Sequence, residues 1–228
     1  MRLVDRGEGP GPASDLSIEL SDTINLAVDA PADGSFRLLL LDPSLHEFIQ
    51  ADAVAAPPAR AELRRTHANS FGVGDEPQGM TIDPASGRTF ILDATGQQIV
   101  VIDSGVFDSS IADVSQLDLP PGLTGLRGLA FNPEDGNLHV LSPIARELYE
   151  LDATGQLLAV RDVPALGPLD LLGPFDPIAM MFAPSTDLTD EPSQMHLFLA
   201  AVGDGSANGS VTEWSFIALP GTVPPATR

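Results

Sequence analysis

The chain has 228 residues, of which 43% are hydrophobic, and its 32 acidic and 11 basic residues give a net charge of −21 at pH 7. A charge of this sign repels phosphate backbones and anionic lipid surfaces, so the composition disfavours nucleic-acid binding and membrane association. The sequence contains no cysteine, which excludes disulfides and thiolate metal sites, and no apolar run long enough for insertion into a membrane as a helix.

The N-terminal segment 1–15 predicts a flexible tail. It contains no apolar stretch of the kind that a signal peptide needs, so we expect either a cytoplasmic protein or the mature part of an exported one. Residues 16–20 alternate apolar and polar side chains and predict a short strand. We expect this strand to close the last unit of the fold, or to be the outer strand of a unit that precedes it.

From residue 23 onward, one local pattern occurs four times. Each copy has a short strand that ends at a proline, then a turn, then a more apolar strand. The prolines are Pro31, Pro84, Pro133 and Pro184, spaced 53, 49 and 51 residues apart. In the first three copies the turn contains Gly34, Gly87 or Gly136, which supplies the positive φ of a tight hairpin, whereas the fourth turn is expanded.

Two further strands follow in the repeat. The third strand alternates, at 98–103, 147–152 and 210–216, and a fourth follows at 116–119 and 156–162. The pentapeptide Asp-Ala-Thr-Gly-Gln, at 93–97 and 152–156, predicts a hairpin turn in both places. Four antiparallel strands about every 50 residues, with no helical pattern, predict an all-β chain, a β-propeller. Its blades would be 23–75, 76–124, 125–174 and 175–219, followed by a flexible tail at 220–228.

Two stretches carry a resemblance to a known family. The segment G-L-A-F-N-P-E-D-G-N-L-H-V-L at 128–141, followed by E-L-Y-E-L-D at 147–152, resembles an NHL-repeat propeller of bacterial extracytoplasmic proteins. More distantly, the chain is similar to gluconolactonase-like and esterase-like phytase propellers. The resemblance implies an extracellular or periplasmic location and a six-bladed ring. We favour four blades of such a larger ring. A closed four-bladed ring is the alternative.

The segments that lead into the innermost strands face the central channel of a propeller. Here they carry Asp75, Glu76, Gln78, Arg127 and Asp176. Converging carboxylates are what a hard cation needs, whereas an arginine would oppose a cation or hold an anionic ligand. We predict that these five residues form a ligand-binding site; solvated loop charge is the alternative interpretation.

The last copy of the repeat offers a second, weaker candidate. Its expanded turn and the glycine-rich loop after it contain Asp187, Asp190, Glu191 and Asp204, whose oxygen atoms would suit Ca²⁺. Their spacing does not fit an EF-hand, and a solvent-exposed loop is the favoured interpretation. His139 and His196 occupy matching places on second strands, where an earlier copy has Phe90, so we predict packing between blades rather than metal binding.

No catalytic spacing stands out, because neither a serine–histidine–aspartate pattern nor an H-E-x-x-H motif is present. The favoured function is a non-catalytic propeller module that binds a protein or small ligand at its loop-bearing face. One alternative is a metal-dependent hydrolase of the lactonase or phytase-like type, with carboxylates at the channel mouth. The other is a Ca²⁺-stabilised structural surface domain. The fold alone does not decide among them.

Overall fold

A computed structural model describes residues 2–3, 16–17, 25–29, 35–42, 45–54, 60–74, 77–103, 113–163, 176–187, 190–191, 194–202 and 210–215. In these ranges the chain forms β-strands joined by turns, with one 3₁₀ helix at Ala68–Phe71. None of the helical structure in this described part is long and apolar enough to cross a membrane. The all-β prediction is confirmed.

The strands form four blades and one small sheet. The small sheet pairs β1 (Arg2–Leu3) with β2 (Leu16–Ser17). The first blade contains β3 (Asn25–Asp29), β4 (Ser35–Asp42), β5 (Glu47–Val54) and β6 (Arg60–His67). The second contains β7 (Pro77–Ile82), β8 (Thr89–Asp93), β9 (Gln98–Asp103) and β10 (Asp113–Asp118). The third contains β11 (Leu129–Phe131), β12 (Leu138–Ser142), β13 (Glu147–Leu151) and β14 (Leu157–Asp162). The fourth contains β15 (Asp176–Pro184), β16 (Met195–Val202) and β17 (Ser210–Ser215).

Each blade is an antiparallel meander in chain order. The first strands of successive blades contact one another, β3 with β7, β7 with β11 and β11 with β15, so they form the inner wall of the assembly. This arrangement confirms the predicted propeller. Within the described ranges the fourth blade has three strands, and β2 pairs with β1. Residues 18–20 lie outside those ranges, so the closing role of 16–20 stays a prediction.

The turn after the inner strand has the same geometry in the second and third blades. The N–H of Gly87 donates to the carbonyl of Asp83 at 2.8 Å, and that of Gly136 donates to the carbonyl of Asn132 at 2.9 Å. Both glycines have a positive φ, of 73° and 77°, which an L side chain adopts only with strain. The predicted glycine turns are therefore confirmed here, while Gly34 lies outside the described residues.

Three apolar clusters fill the spaces between consecutive blades. We call the side of a blade that faces the next blade along the chain its forward face, and the opposite side its backward face. Because side chains alternate along a strand, each middle blade buries apolar residues on both faces. The forward face of the fourth blade differs, since Met181 and Val211 are 54% and 69% exposed there.

One ring position repeats in the spaces between blades. Phe90 of β8 stacks on Phe131 of the next blade, with ring centroids 5.8 Å apart. At the matching place one blade later, the ring of His139 lies 4.9 Å from that of Phe182. The predicted packing role of His139 is confirmed.

Candidate functional site

The inner strands of all four blades surround one cleft of about 220 Å³. The first three blades contribute Asn25, Leu26, Gly79, Met80, Gly128 and Leu129. The fourth contributes Ala179, Met180, Met181, Phe198, Ala200 and Val211. The cleft therefore collects residues from the beginnings of the inner strands together with the forward face of the fourth blade.

In the second and fourth blades, a proline lies at a shift of strand register close to the cleft lining in sequence. The pairing of β7 with β8 shifts register between Pro77 and Gly79, and that of β15 with β16 shifts between Pro177 and Ala179. Proline cannot donate to a strand ladder, so it occurs where regular pairing is interrupted. Each shift is followed by a methionine that lines the cleft, Met80 or Met180.

The lining is apolar. Among the described residues that border the cleft, Asn25 has the only polar side chain, and its Nδ2 donates to the carbonyl of Pro77 at 3.1 Å. Met80 and Met180 are buried, whereas Leu26 and Met181 are exposed at 45% and 54%. Methionine is flexible and polarisable, so a wall that contains three of them can adapt to differently shaped apolar groups.

The sequence predicted polar residues at this end of the inner strands. Gln78 and Arg127 directly precede the lining residues Gly79 and Gly128, and the Gly128 N–H donates to the carbonyl of Gln78 at 2.7 Å. The structure therefore places these two segments side by side. Asp75 and Glu76 lie outside the described residues, as does the side chain of Asp176, whose backbone begins β15. The ligand-binding role of the five residues stays a prediction.

The sequence did not predict that the cleft has an apolar lining. The signal that could have found it is a repeated Pro-x-small-Met pattern, at 77–80 and 177–180. Recognising that both copies face one cleft requires knowing that these segments, 100 residues apart, begin equivalent inner strands.

Among the described residues, one group has three potential metal ligands within 4.8 Å of one another: Asp135, His139 and Glu150 of the third blade. Both oxygens of Asp135 accept hydrogen bonds, Oδ1 from the Asn137 amide at 2.9 Å and Oδ2 from Asn132 at 2.8 Å. Glu150 accepts from Asn137 at Oε1 and from Arg161 at Oε2, both at 2.9 Å. A guanidinium thus already occupies the place of a cation beside Glu150.

Burial decides the charge of His139. Its side chain is fully buried, and desolvation lowers its pKa to about 4, with the Arg161 charge adding to this and the Glu150 charge opposing it. The pKa of Asp135 is raised, first by burial and also by the charge of Glu150. At neutral pH the imidazole is neutral and packs against Phe182, with the ring planes tilted by 58°, which favours a structural role for this group.

The fourth blade carries a separate polar network around the expanded turn. Nδ1 of His196 lies 2.8 Å from Oε1 of Glu213, and the amide and hydroxyl of Thr186 donate to the same carboxylate. These bonds, the Thr186 hydroxyl first, lower the pKa of Glu213 to about 2. On the other side of the imidazole, Nε2 lies 3.7 Å from Oδ2 of Asp190.

Two of the predicted metal ligands, Asp187 and Glu191, are exposed in this turn, and Asp204 lies outside the described residues. Asp190 approaches His196, with its Oδ2 3.7 Å from Nε2. The Ca²⁺ site that these four residues were predicted to form stays a prediction.

Solved structures to which the chain is similar include a β-propeller domain. Virginiamycin B lyase from Staphylococcus aureus is 10% identical with a TM-score of 0.46, over 91% of this chain and 61% of that one. The Cps50 (Swd1) β-propeller domain of Myceliophteria thermophila is 13% identical with a TM-score of 0.47, over 95% and 62%. A functionally unknown protein from Desulfotomaculum acetoxidans is 12% identical with a TM-score of 0.49, over 92% and 60%.

The chain thus spans 60–62% of the length of these three structures. No protein-family model matches the sequence, and no curated protein is significantly similar to it. These similar structures thus include a lyase and a functionally unknown protein.

Proposed function

We propose that the chain is a non-catalytic binding module that holds an apolar group in the cleft between its four blades. One observation carries the proposal: the described lining offers apolar side chains and one asparagine, and no acid, base or nucleophile. Ligand sites are typically concave and apolar, with a few polar groups that fix orientation. The cleft volume of about 220 Å³ suits a small apolar molecule or a single apolar side chain of a partner protein.

The exposed part of the lining supports the proposal further. Leu26, Met181 and Val211 leave much of their apolar surface in water, although they border a concave site. Covering such surface is favourable by about 25 cal/mol per Å². A ligand that covers these side chains therefore gains binding free energy.

A neutral fluorescent probe, N-phenyl-1-naphthylamine, tests the proposal without interference from the acidic surface. We expect saturable binding to the wild-type chain and roughly tenfold weaker binding to Met181→Glu, because an ionised carboxylate in an apolar site is costly to desolvate. Ile144→Glu is the matched control, since Ile144 is 81% exposed and lies in the turn between β12 and β13, outside the cleft.

Two results would contradict the proposal. One is a wild-type chain that shows no saturable probe binding. The other is a loss of affinity in Ile144→Glu as large as that in Met181→Glu, which would mean that the probe binds exposed apolar surface in general.

A further inference from the structure

The turn between β15 and β16 brings a buried histidine close to a carboxylate. His196 is only 6% exposed, and its Nε2 lies 3.7 Å from Oδ2 of Asp190. Within the described part of the chain, this nitrogen has no hydrogen-bond partner. A buried polar atom in this state is unusual, because buried nitrogen and oxygen atoms are nearly always satisfied.

The opposite ring nitrogen determines how the imidazole presents Nε2. Nδ1 lies 2.8 Å from a carboxylate oxygen of Glu213, and a glutamate carboxylate accepts hydrogen bonds at neutral pH. Nδ1 is therefore the donor. In the neutral ring Nε2 then carries a lone pair and lies 3.7 Å from a carboxylate oxygen of Asp190. Two acceptors this close repel, unless a proton or a metal ion lies between them.

This geometry matches the surroundings of a metal-binding histidine. Such histidines usually donate their other ring N–H to a carboxylate, which fixes the tautomer and the ring orientation. Glu213 fills that role here, and Thr186 holds it in place. The carboxylate of Asp190 is also fixed, because the hydroxyl of Ser185 lies 2.6 Å from its Oδ2.

The ligand types select the ion. Zn²⁺ binds histidine nitrogen and carboxylate oxygen at about 2.0–2.2 Å, so one ion can contact two atoms 3.7 Å apart. Ca²⁺ takes oxygen ligands at about 2.3–2.6 Å, and a nitrogen ligand does not suit it. Imidazole nitrogen instead favours Zn²⁺ and related first-row transition metals.

We propose that His196 and Asp190 bind a transition-metal ion of the Zn²⁺ class, with water completing the coordination sphere. The ion ties the expanded turn to β16 and, through Glu213, to β17. His196 and Asp190 do not line the cleft, although the cleft-lining Phe198 is two residues from His196 along β16, or roughly 7 Å.

The third blade provides the contrast. There the carboxylates of Asp135 and Glu150 accept hydrogen bonds at every oxygen, and Arg161 supplies a positive charge. In the fourth blade no described arginine forms an ion pair with Asp190 or Glu213, and the basic side chain that both carboxylates approach is His196. A metal ion is therefore expected in the fourth blade and not in the third.

Thermal melting of the chelator-treated chain tests the proposal. We expect saturating Zn²⁺ to raise Tm by roughly 5–10 °C at about 100 times Kd, and Ca²⁺ at the same concentration to leave Tm unchanged. Asp190→Asn keeps the size of the side chain but removes a ligand charge, so Zn²⁺ affinity should fall by roughly 10–100-fold. Glu191→Gln, the neighbouring exposed acid, should bind Zn²⁺ as the wild type does.

Co²⁺ gives a second readout that does not depend on stability. Bound to the wild type and to Glu191→Gln, it should produce a visible absorption band, which Asp190→Asn and His196→Gln should lack. A wild-type chain without a Zn²⁺-dependent shift would overturn the proposal. So would a shift that survives in Asp190→Asn but is lost in Asp135→Asn, because the metal would then lie in the third blade.

Discussion

At the scale of single residues, His139 links packing to charge. Its ring takes the place that Phe90 takes one blade earlier, against an aromatic residue of the following blade. Unlike phenylalanine, imidazole can bind a proton, and burial opposes the charged form. The folded protein therefore holds this histidine neutral at a pH where the unfolded chain would begin to protonate it.

This difference predicts how acid acts on stability. With a pKa of about 4 in the folded state and 6.5 in the unfolded state, the unfolded chain binds more protons between these values. Stability is therefore fully present above about pH 6.5 and falls as the pH drops to about 4, by on the order of 3 kcal/mol. His139→Phe should lose less stability over this interval, as measured by urea unfolding at pH 7 and pH 4.5.

Carboxylates also titrate between these pH values, in the wild type and in His139→Phe alike. The contribution of His139 is therefore the difference between the losses of unfolding free energy in the two proteins. Circular dichroism at pH 7 should first show that the variant is folded. Equal losses of unfolding free energy in wild type and His139→Phe would mean that His139 is not the group that senses acid.

At the scale of secondary structure, close approach of β7 and β11 sets the spacing of the second and third blades. A Cβ atom added at Gly79 would lie 2.6 Å from the backbone nitrogen of Leu129 and 2.9 Å from the carbonyl carbon of Gly128. These are backbone atoms and cannot rotate away. In contrast, a Cβ added at Gly87 would meet nothing within 4 Å, although its φ is +73°.

We therefore expect substitutions of the two glycines to lower the free energy of unfolding by different amounts. Gly79→Ala forces two strands apart and should lower the free energy of unfolding by about 3 kcal/mol, at the upper end for overpacking. Gly87→Ala adds only left-handed backbone strain and should cost about 1 kcal/mol. Chemical denaturation of both variants measures the difference. If Gly87→Ala proved the more costly, turn strain and not the approach of the blades would be the tighter constraint.

At the scale of the whole molecule, the net charge of −21 acts against the apolar contacts between blades. Like charges repel within a compact fold, and salt screens this repulsion. Raising NaCl from about 10 mM to about 150 mM shortens the Debye length from roughly 30 Å to roughly 8 Å. We expect Tm to rise by a few degrees over this range. KCl should act equally, and a Tm that stays constant or falls would show that self-repulsion is not limiting.

Much of the architecture follows from local sequence. A proline that ends each inner strand and a glycine in each tight turn recur with the repeat, and the alternation of side chains marks the half-buried strands. These signals act over a few residues, so the sequence predicts the blades and the hairpins at Gly87 and Gly136. It also predicts the packing of His139, because a position that holds phenylalanine in one repeat keeps the same environment in the next.

The pentapeptide Asp-Ala-Thr-Gly-Gln, which occurs at 93–97 and 152–156, shows the limit of prediction from local sequence. At 93–97 the residue with positive φ is Gln97, whose side chain donates to the carbonyl of Leu123 at 3.2 Å. At 152–156 it is Gly155, and Asp152 accepts from the amides of Thr154 and Gln156. Both are hairpin turns, as predicted, but the pentapeptide alone does not determine which of its residues has the positive φ.

The candidate sites depend on tertiary structure because they combine residues that are far apart in the sequence. Met80 and Met180 stand 100 residues apart and read as ordinary core residues, yet they meet in one cleft because their strands occupy equivalent places around the centre. His196 resembles His139 in sequence context, but one packs against an aromatic ring and the other faces Asp190. Sequence determined the repeating unit through short-range backbone chemistry. The contacts between units, which place side chains from distant segments together, were decided only by the packing of the blades.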